Sequence, residues 1–243
     1  MVPLLVGLVG CDGPQSVLDP AGPSALAIAT VWWWMLGVGT LVLLGVVALW
    51  WVAMRRRAGP PPDDQPQVAD RTGRHWIVGG GIVLPALAIV PLLIFGSPAG
   101  LHQLPLPVMS WSRSAADPTA PPPLRIDATG QQWWWALHYP DSGVRLRNEL
   151  RLPVGRPVHV HVGSLDVIHS FWVPRLGGKL DAIPGRTGIV RLQADQAGTF
   201  RGQCAEFCGL GHAHMVMTVI AMPPADFDTW LADQPRTTAH QRP

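Results

Sequence analysis

Cysteine is scarce in this chain: Cys11, Cys204 and Cys208 are the only three among 243 residues. An odd, low count argues against a disulfide framework. Charge is scarce too, at 14% of residues against an ordinary level of about 25%. The formal net charge of +2 is too small to mark a nucleic-acid binder, and the C-terminal half has no basic cluster with interleaved aromatics. Cys-x-x-Cys-His is absent, which excludes a fused haem c domain. From residue 124 onward no amphipathic helix of useful length occurs before "PADFDTWLAD" near the C-terminus.

What is abundant is apolar. Hydrophobic residues make up 48% of the chain, with 12 Trp, which suggests that part of it lives in lipid. Residues 27–53 carry no charge. At about 1.5 Å per residue they reach about 40 Å, enough to cross a hydrocarbon core of about 30 Å. Trp32, Trp33 and Trp34 lie near one end and Trp50 and Trp51 near the other, the spacing of two interfacial aromatic belts. This predicts a first transmembrane helix over 24–54. A second is expected over 75–96, where Pro85 and Pro91 are tolerable as kinks because neighbours in a membrane can satisfy the freed carbonyls. The connector 55–74 holds the arginine run 55–57, Arg71 and Arg74, so the positive-inside rule makes it cytoplasmic and puts both termini outside.

The first ten residues are apolar and end on small residues. "LVGC", Leu8 to Cys11, resembles a bacterial lipobox, although the leader lacks a basic residue. Cleavage and acylation at Cys11 would add an anchor on the exported side. Residues 97–123, rich in Pro, Ala and Ser, read as an extended spacer.

From 124 to 223 short runs alternate with period 2: "VRLR", "PVHVHV", "GIVRLQ" and "MVMTVI". Turn signals separate them. About 100 residues of such strands point to a Greek-key sandwich or barrel, followed by a tail over 224–243. His159 and His161 alternate with valines and share a strand face; they are expected to be solvent-facing. His75, His102, His138 and His240 have no partner in sequence and are taken as surface or interfacial residues.

"CAEFCGLGHAHM", from Cys204 to Met215, carries the chemistry. Thiolate, thioether and imidazole suit copper. Cys208, His212 and Met215 with a distant His169 would make a one-copper site. Cys204 has no place in it. Zinc would leave Met215 idle, and an iron–sulfur cluster usually wants more cysteines than the chain has. Two thiolates bridging two coppers use everything: each copper takes one imidazole and both sulfurs, Met215 is a weak ligand to one, and a backbone carbonyl between the cysteines serves the other.

"GQCAEFCGLGHAHM", "DVIHSFWVP", "KLDAIPGR" and "QQWWWALHY" resemble subunit II of the haem–copper cytochrome c oxidases, over nearly the whole chain. The resemblance implies two N-terminal transmembrane helices followed by an all-β Greek-key cupredoxin barrel with a binuclear copper A centre. Its metal ligands map to His169, Cys204, Glu206 through its carbonyl, Cys208, His212 and Met215, while His214 is not among them. Trp133 maps to the residue that accepts electrons from cytochrome c, with Trp133 and Trp135 expected on one strand face and Trp134 on the other. Glu206 also maps to a ligand of a Mg²⁺ shared with subunit I. Asp166 and Asp181 match family positions. The implied partners are subunit I with its haem and copper B, other oxidase subunits, cytochrome c and membrane lipid, with no nucleic acid. The implied location is the bacterial plasma membrane, with the C-terminal domain periplasmic.

Two relatives in function stay open: the copper A subunit of a nitric oxide reductase and a membrane-tethered copper-delivery protein. A quinol oxidase subunit is excluded by an intact motif, because those relatives lack the copper ligands. One departure stands out. Cytochrome c is usually basic and docks on acidic residues, but residues 97–243 hold 13 Lys and Arg against 11 Asp and Glu. Docking then either depends little on charge, with weak salt dependence, or uses a less basic donor.

Overall fold

The computed structural model describes residues 13–56, 66–95 and 122–234. Cys11, His102, His240, the leader and most of the 97–123 spacer lie outside them. The chain divides into two compact units, one of residues 1–30 with 119–243 and one of residues 31–118.

The second unit is helical. Helix α1, Pro23–Arg55, contributes its first turns to the other unit and the rest here. Helix α2, Pro66–Val78, runs into a π-helical turn, Gly79–Val83, and then α3, Leu84–Phe95. The wide turn has a local cause. Pro85 lacks the N–H that a regular helix would donate to Gly81, and the ladder shifts to a longer loop just before it, with the Leu84 N–H bonding to Gly79 O. Arg71 and Arg74 therefore sit on a helix rather than in the loop expected there, because the helix begins at Pro66. Two stretches, Pro23–Arg55 and Gly73–Leu93, are long and apolar enough to cross a membrane. Large side chains such as Leu41, Trp34, Ile77 and Leu87 are exposed along them, as a lipid-facing helix requires.

The other unit is a sandwich of two five-stranded sheets. In sheet A the order is β3 (Val144–Arg147), β2 (Trp134–Tyr139), β1 (Leu124–Gln131), β5 (Val158–Ser164), β8 (Gly188–Leu192). In sheet B it is β4 (Glu149–Pro153), β10 (Val216–Met222), β9 (Gly198–Cys204), β6 (His169–Trp172), β7 (Leu180–Ala182). Period-2 burial explains the layers: Val158, Val160 and Val162 face the core while His159 and His161 stand on the outer face. The strands expected at 144–147, 157–162, 188–193 and 215–220 appear as β3, β5, β8 and β10. β1 pairs parallel with β5, and β10 parallel with β4, so crossovers between the sheets bind the sandwich together.

Two devices close its lower end and flank. Tyr139, fully buried on β2, donates its hydroxyl to Arg151 O and accepts from Arg151 N, both at 2.8 Å. That joins sheet A to β4. Burial pushes its phenol pKa up, so it stays a neutral donor. Helix α4, Pro224–Asp233, packs Phe227 and Trp230 against the same ring. The N-terminal stretch ahead of α1 also docks on the sandwich. Ala21 N bonds to Arg175 O and Asp195 N to Ala21 O, each at 2.8 Å, and Arg175 pairs with Asp19 at 2.7 Å. Gly22 lies so close to the Gln193 carbonyl that a Cβ would overlap it.

Tyr139→Phe should leave both Arg151 backbone groups without the hydroxyl and lower the unfolding free energy of the metal-free protein by about 1–3 kcal/mol. Denaturant titration followed by Trp fluorescence checks this, and an unchanged midpoint would rule it out.

Candidate metal centre

The site lies where the two chain segments bearing soft donors meet at one end of the sandwich. β6 opens on His169, fully buried. β9 ends on Cys204, also fully buried. The chain then loops through Cys208 into a one-turn 3₁₀ helix, His212–His214, and re-enters the sheet after Met215. Cys204 N bonds to Met215 O at 2.9 Å and Ala205 N to Ser170 O at 3.0 Å. These backbone bonds stitch both ends of the loop to the strands that frame it.

The two thiols face each other at 3.8 Å and are free, not a disulfide. Each has its own imidazole: His169 Nδ1 is 3.8 Å from Cys204 Sγ, and His212 Nδ1 is 3.6 Å from Cys208 Sγ. Met215 Sδ lies 3.8 Å from Cys208 Sγ, and the Glu206 carbonyl oxygen 3.3 Å from Cys204 Sγ. The six positions mapped from sequence are therefore brought together. Separations of 3.6–3.8 Å suit atoms that share a metal at bonds of about 2.0–2.3 Å. The donor set is soft, buried and of the kind copper takes, so the cluster of His169, Cys204 and Cys208 fits copper binding. Burial, with the Cys204 thiol beside it, pushes Cys208 up to about 12. The metal-free Cys208 thiol is thus protonated at neutral pH, and loading must release its proton. His214 is exposed and stands outside this cluster.

His169 is oriented from its far side. Its Nε2 is 2.8 Å from Asp166 Oδ1, which sets Nε2 as the protonated nitrogen and turns Nδ1 toward the sulfurs. The Asp166 carboxylate also accepts from Gln132 N at 2.7 Å and Val167 N at 2.6 Å. Partial burial opposes its ionisation, but the bonds from His169 and the two amides outweigh that and hold its pKa below the usual carboxylate range. Gly130 makes room for the imidazole: a Cβ there would stand 2.8 Å from the His169 ring.

Trp133 is not on a strand face, as expected from sequence, but at the tip of the β1–β2 turn, 39% exposed. Strand β2 starts one residue later than the alternation implied, because Gln131 pairs with Trp134 and the turn takes up Gln132 and Trp133. Its indole Nε1 donates to Cys208 O at 3.1 Å, and Gln132 Nε2 donates to the same carbonyl at 2.8 Å. Gly211 allows this contact, since a Cβ would overlap the indole. Trp135 is core, edge-on to Phe171 with centroids 5.3 Å apart, and Trp134 lies outward under the Arg147 guanidinium. Gln132, Gly130 and Gly211 were not singled out from sequence. The carboxylate three residues before His169 is the one clue that spacing offered to Asp166's part. Asp181 is exposed on β7.

The family described as cytochrome c oxidase subunit II, periplasmic domain, matches residues 142–222. The chain is 33% identical over 235 residues to cytochrome c oxidase subunit 2 of Alkalihalophilus pseudofirmus, covering 94% of this chain and 65% of that one. Over most of its length the chain is thus similar to the cytochrome c oxidase subunit II family. It is also 28% identical to quinol oxidase subunit 2 of Bacillus anthracis, over 96% of this chain and 78% of that relative. Among solved structures, the periplasmic domain of cytochrome oxidase subunit II of Bradyrhizobium japonicum is 37% identical, with a TM-score of 0.44, covering 45% of this chain and 91% of that one. The chain spans about two thirds, or as little as 33%, of the length of the first curated relatives it matches.

Asp166→Asn removes the carboxylate that orients His169, and should weaken copper affinity about 10–100-fold in competition with a copper chelator. Because the carboxyl ionises below its usual range of about 3.9, its stabilising bonds are in full force above that pH and are lost as pH falls through the lower folded value. The stability advantage of metal-free wild type over Asp166→Ala should therefore be full at neutral pH and shrink as pH falls through that lower value, and equal copper affinities of wild type and Asp166→Asn would refute the orienting role.

Proposed function

We propose that this chain is the electron-transfer subunit of a terminal respiratory oxidase. It takes electrons from a cytochrome at a binuclear copper A centre and passes them to haem in subunit I, where O₂ is reduced and protons are translocated. The observation that carries this is the pair of thiols 3.8 Å apart, each beside a different imidazole. One copper has no use for two such half-sites. His169 would serve one copper and His212 the other, with Met215 and the Glu206 carbonyl as further donors and both sulfurs shared. When bound, the copper pair supplies one-electron storage with the charge spread over two ions, so that little must move on reduction.

The protein's own part is to hold and insulate. Cys204, His169 and Met215 are fully buried, which excludes water and limits reorganisation. Trp133, exposed on one edge and bonded to the Cys208 carbonyl on the other, suits the entry side chain. Glu206 is exposed beyond its carbonyl, leaving its carboxylate for a Mg²⁺ shared with subunit I, a hard ion that prefers oxygen ligands. The two apolar helices would anchor the chain in the bacterial plasma membrane with the connector cytoplasmic and the sandwich periplasmic. Cys11, outside the described residues, would be acylated on that same side.

A copper-delivery role is disfavoured because delivery needs accessible, releasable ligands, whereas His169, Cys204, Cys208 and Met215 are buried and the donors come from two separate segments. A nitric oxide reductase subunit with the same centre shares this chemistry and differs only in the partner's acceptor. The complete donor set counts against a quinol-oxidising role.

Full-length protein loaded with copper in detergent should hold two copper ions and give an EPR spectrum split by two equivalent copper nuclei. Cys204→Ser should abolish that mixed-valence signal. A single-nucleus pattern in the wild type, or the two-nucleus spectrum surviving in the variant, would refute the bridged pair.

A further inference from the structure

The outer face of sheet A has a charge pattern that the electron-transfer role does not itself require. Its outward strand positions carry Arg125 on β1, Arg145 and Arg147 on β3, and Arg191 on β8, all exposed. Among the described residues only Asp127 opposes them, and it is already paired with Arg125 at 3.0 Å and His138 at 3.6 Å. Register places these groups side by side. Arg145, His138, Asp127 and His161 form one row across adjacent strands, and Arg125, His159 and Arg191 the next. Arg145, Arg147 and Arg191 stand opposite His138, Ala136 and His159, and among the described residues no acidic group of this face pairs with them. The outer face of sheet B differs: Arg151 and Arg201 are balanced by Glu149 and Asp181. The near-neutral balance of the whole domain thus conceals one basic face.

That face runs up to the electron-entry end. Arg147 lies over the Trp134 ring at 4.5 Å, next to Trp133 at the turn. In the row of Arg147 the outward positions on β2, β1 and β5 are short, Ala136, Thr129 and Gly163, so a partner surface can come close there, and one step nearer the turn Gln131 pairs with Trp134. Beyond them the turn is flanked by exposed apolar side chains. Leu165 follows the strand end with its N–H bonded to Gly130 O, and Leu210 stands between the two glycines that touch Trp133 and its neighbour Gln132. An apolar centre with charge to one side is the build of a transient protein interface. Five strands at about 4.8 Å, and the roughly 20 Å from Arg125 to Gln131, give a footprint suited to the small interfaces of redox encounters.

We propose that this face, Arg125, Arg145, Arg147 and Arg191 with the apolar rim at Trp133, docks an electron-donor protein whose own surface around its redox group is acidic. This deepens the electron-transfer reading and rests on it. It selects a less basic donor over charge-independent docking, and with it a clear salt dependence. Anionic lipid headgroups would also be attracted to the arginines. They give no reason for the charge to meet the apolar rim at Trp133, whereas an electron donor must sit there.

The test uses the intact oxidase complex in discs of neutral lipid, with two probes: a basic c-type cytochrome, and the same cytochrome with its lysines succinylated. Initial oxidation rates are followed from about 10 mM to about 150 mM salt, where the screening length falls from about 30 Å to about 8 Å. The succinylated probe should be oxidised about tenfold faster than the basic one at low salt, and should lose that advantage as salt rises. Arg145→Glu with Arg147→Glu, and separately Arg191→Glu, should slow the acidic probe and speed the basic one, with the copper spectrum unchanged. Faster oxidation of the basic probe, or rates indifferent to these reversals, overturns the proposal while leaving the electron-transfer reading intact. An effect of the reversals that appears only in discs containing phosphatidylglycerol, the same for both probes, assigns the face to lipid and also overturns it. If neither probe is oxidised although ascorbate reduces the copper, the electron-transfer reading fails along with the docking one.

Discussion

Two sulfur atoms held 3.8 Å apart without bonding are the constraint around which this domain is arranged. Thiols at that distance, both buried, are close enough to share metal ions and too far apart for a disulfide, whose sulfurs stand about 2.0 Å apart. Holding them so requires that the loop between β9 and β10 be pinned at both ends and that an imidazole approach from each side. The Cys204–Met215 and Ala205–Ser170 backbone bonds do the first. β6 and the one-turn helix after Gly211 do the second.

The turn that bears Trp133 is subordinate to the same loop. Gln132 and Trp133 both donate to the Cys208 carbonyl, while Gln132 N reaches Asp166, which in turn holds His169. A single small network therefore fixes one imidazole, one thiol segment and the exposed indole together. Its members come from three separate parts of the chain, and each bonds to another of them. The bond that matters most to the metal donors is the one to His169, because that imidazole is fully buried and a buried polar group left unpaired costs more than the bond itself contributed.

Much of this was legible in the sequence. Period-2 alternation identified β3, β5, β8 and β10 and which of their residues face the core. Charge-free runs identified the apolar helices. The spacing of Cys204, Cys208, His212 and Met215 named a soft-metal site, and the surplus thiol at Cys204 argued for two ions. Less was legible where backbone geometry intervenes. The alternation of three consecutive tryptophans could not reveal that the turn ends before Trp134, so Trp133 sits at a tip rather than on a strand. The loop-like residues 13–22 gave no sign that they dock on the sandwich, because the contacts are largely backbone carbonyls and amides that any sequence supplies.

Local chemistry, then, was determined by the sequence alone: which atoms can ligate a soft metal, which stretches are too apolar for water, and which strands alternate. These follow from side-chain identity and spacing, which folding does not alter. Only tertiary structure decided which groups meet. Asp166 behind His169, the indole on the Cys208 carbonyl, and four arginines from three strands on one open face all depend on strand order and register. Those are set by the packing of the whole core, and no short stretch of the chain contains them.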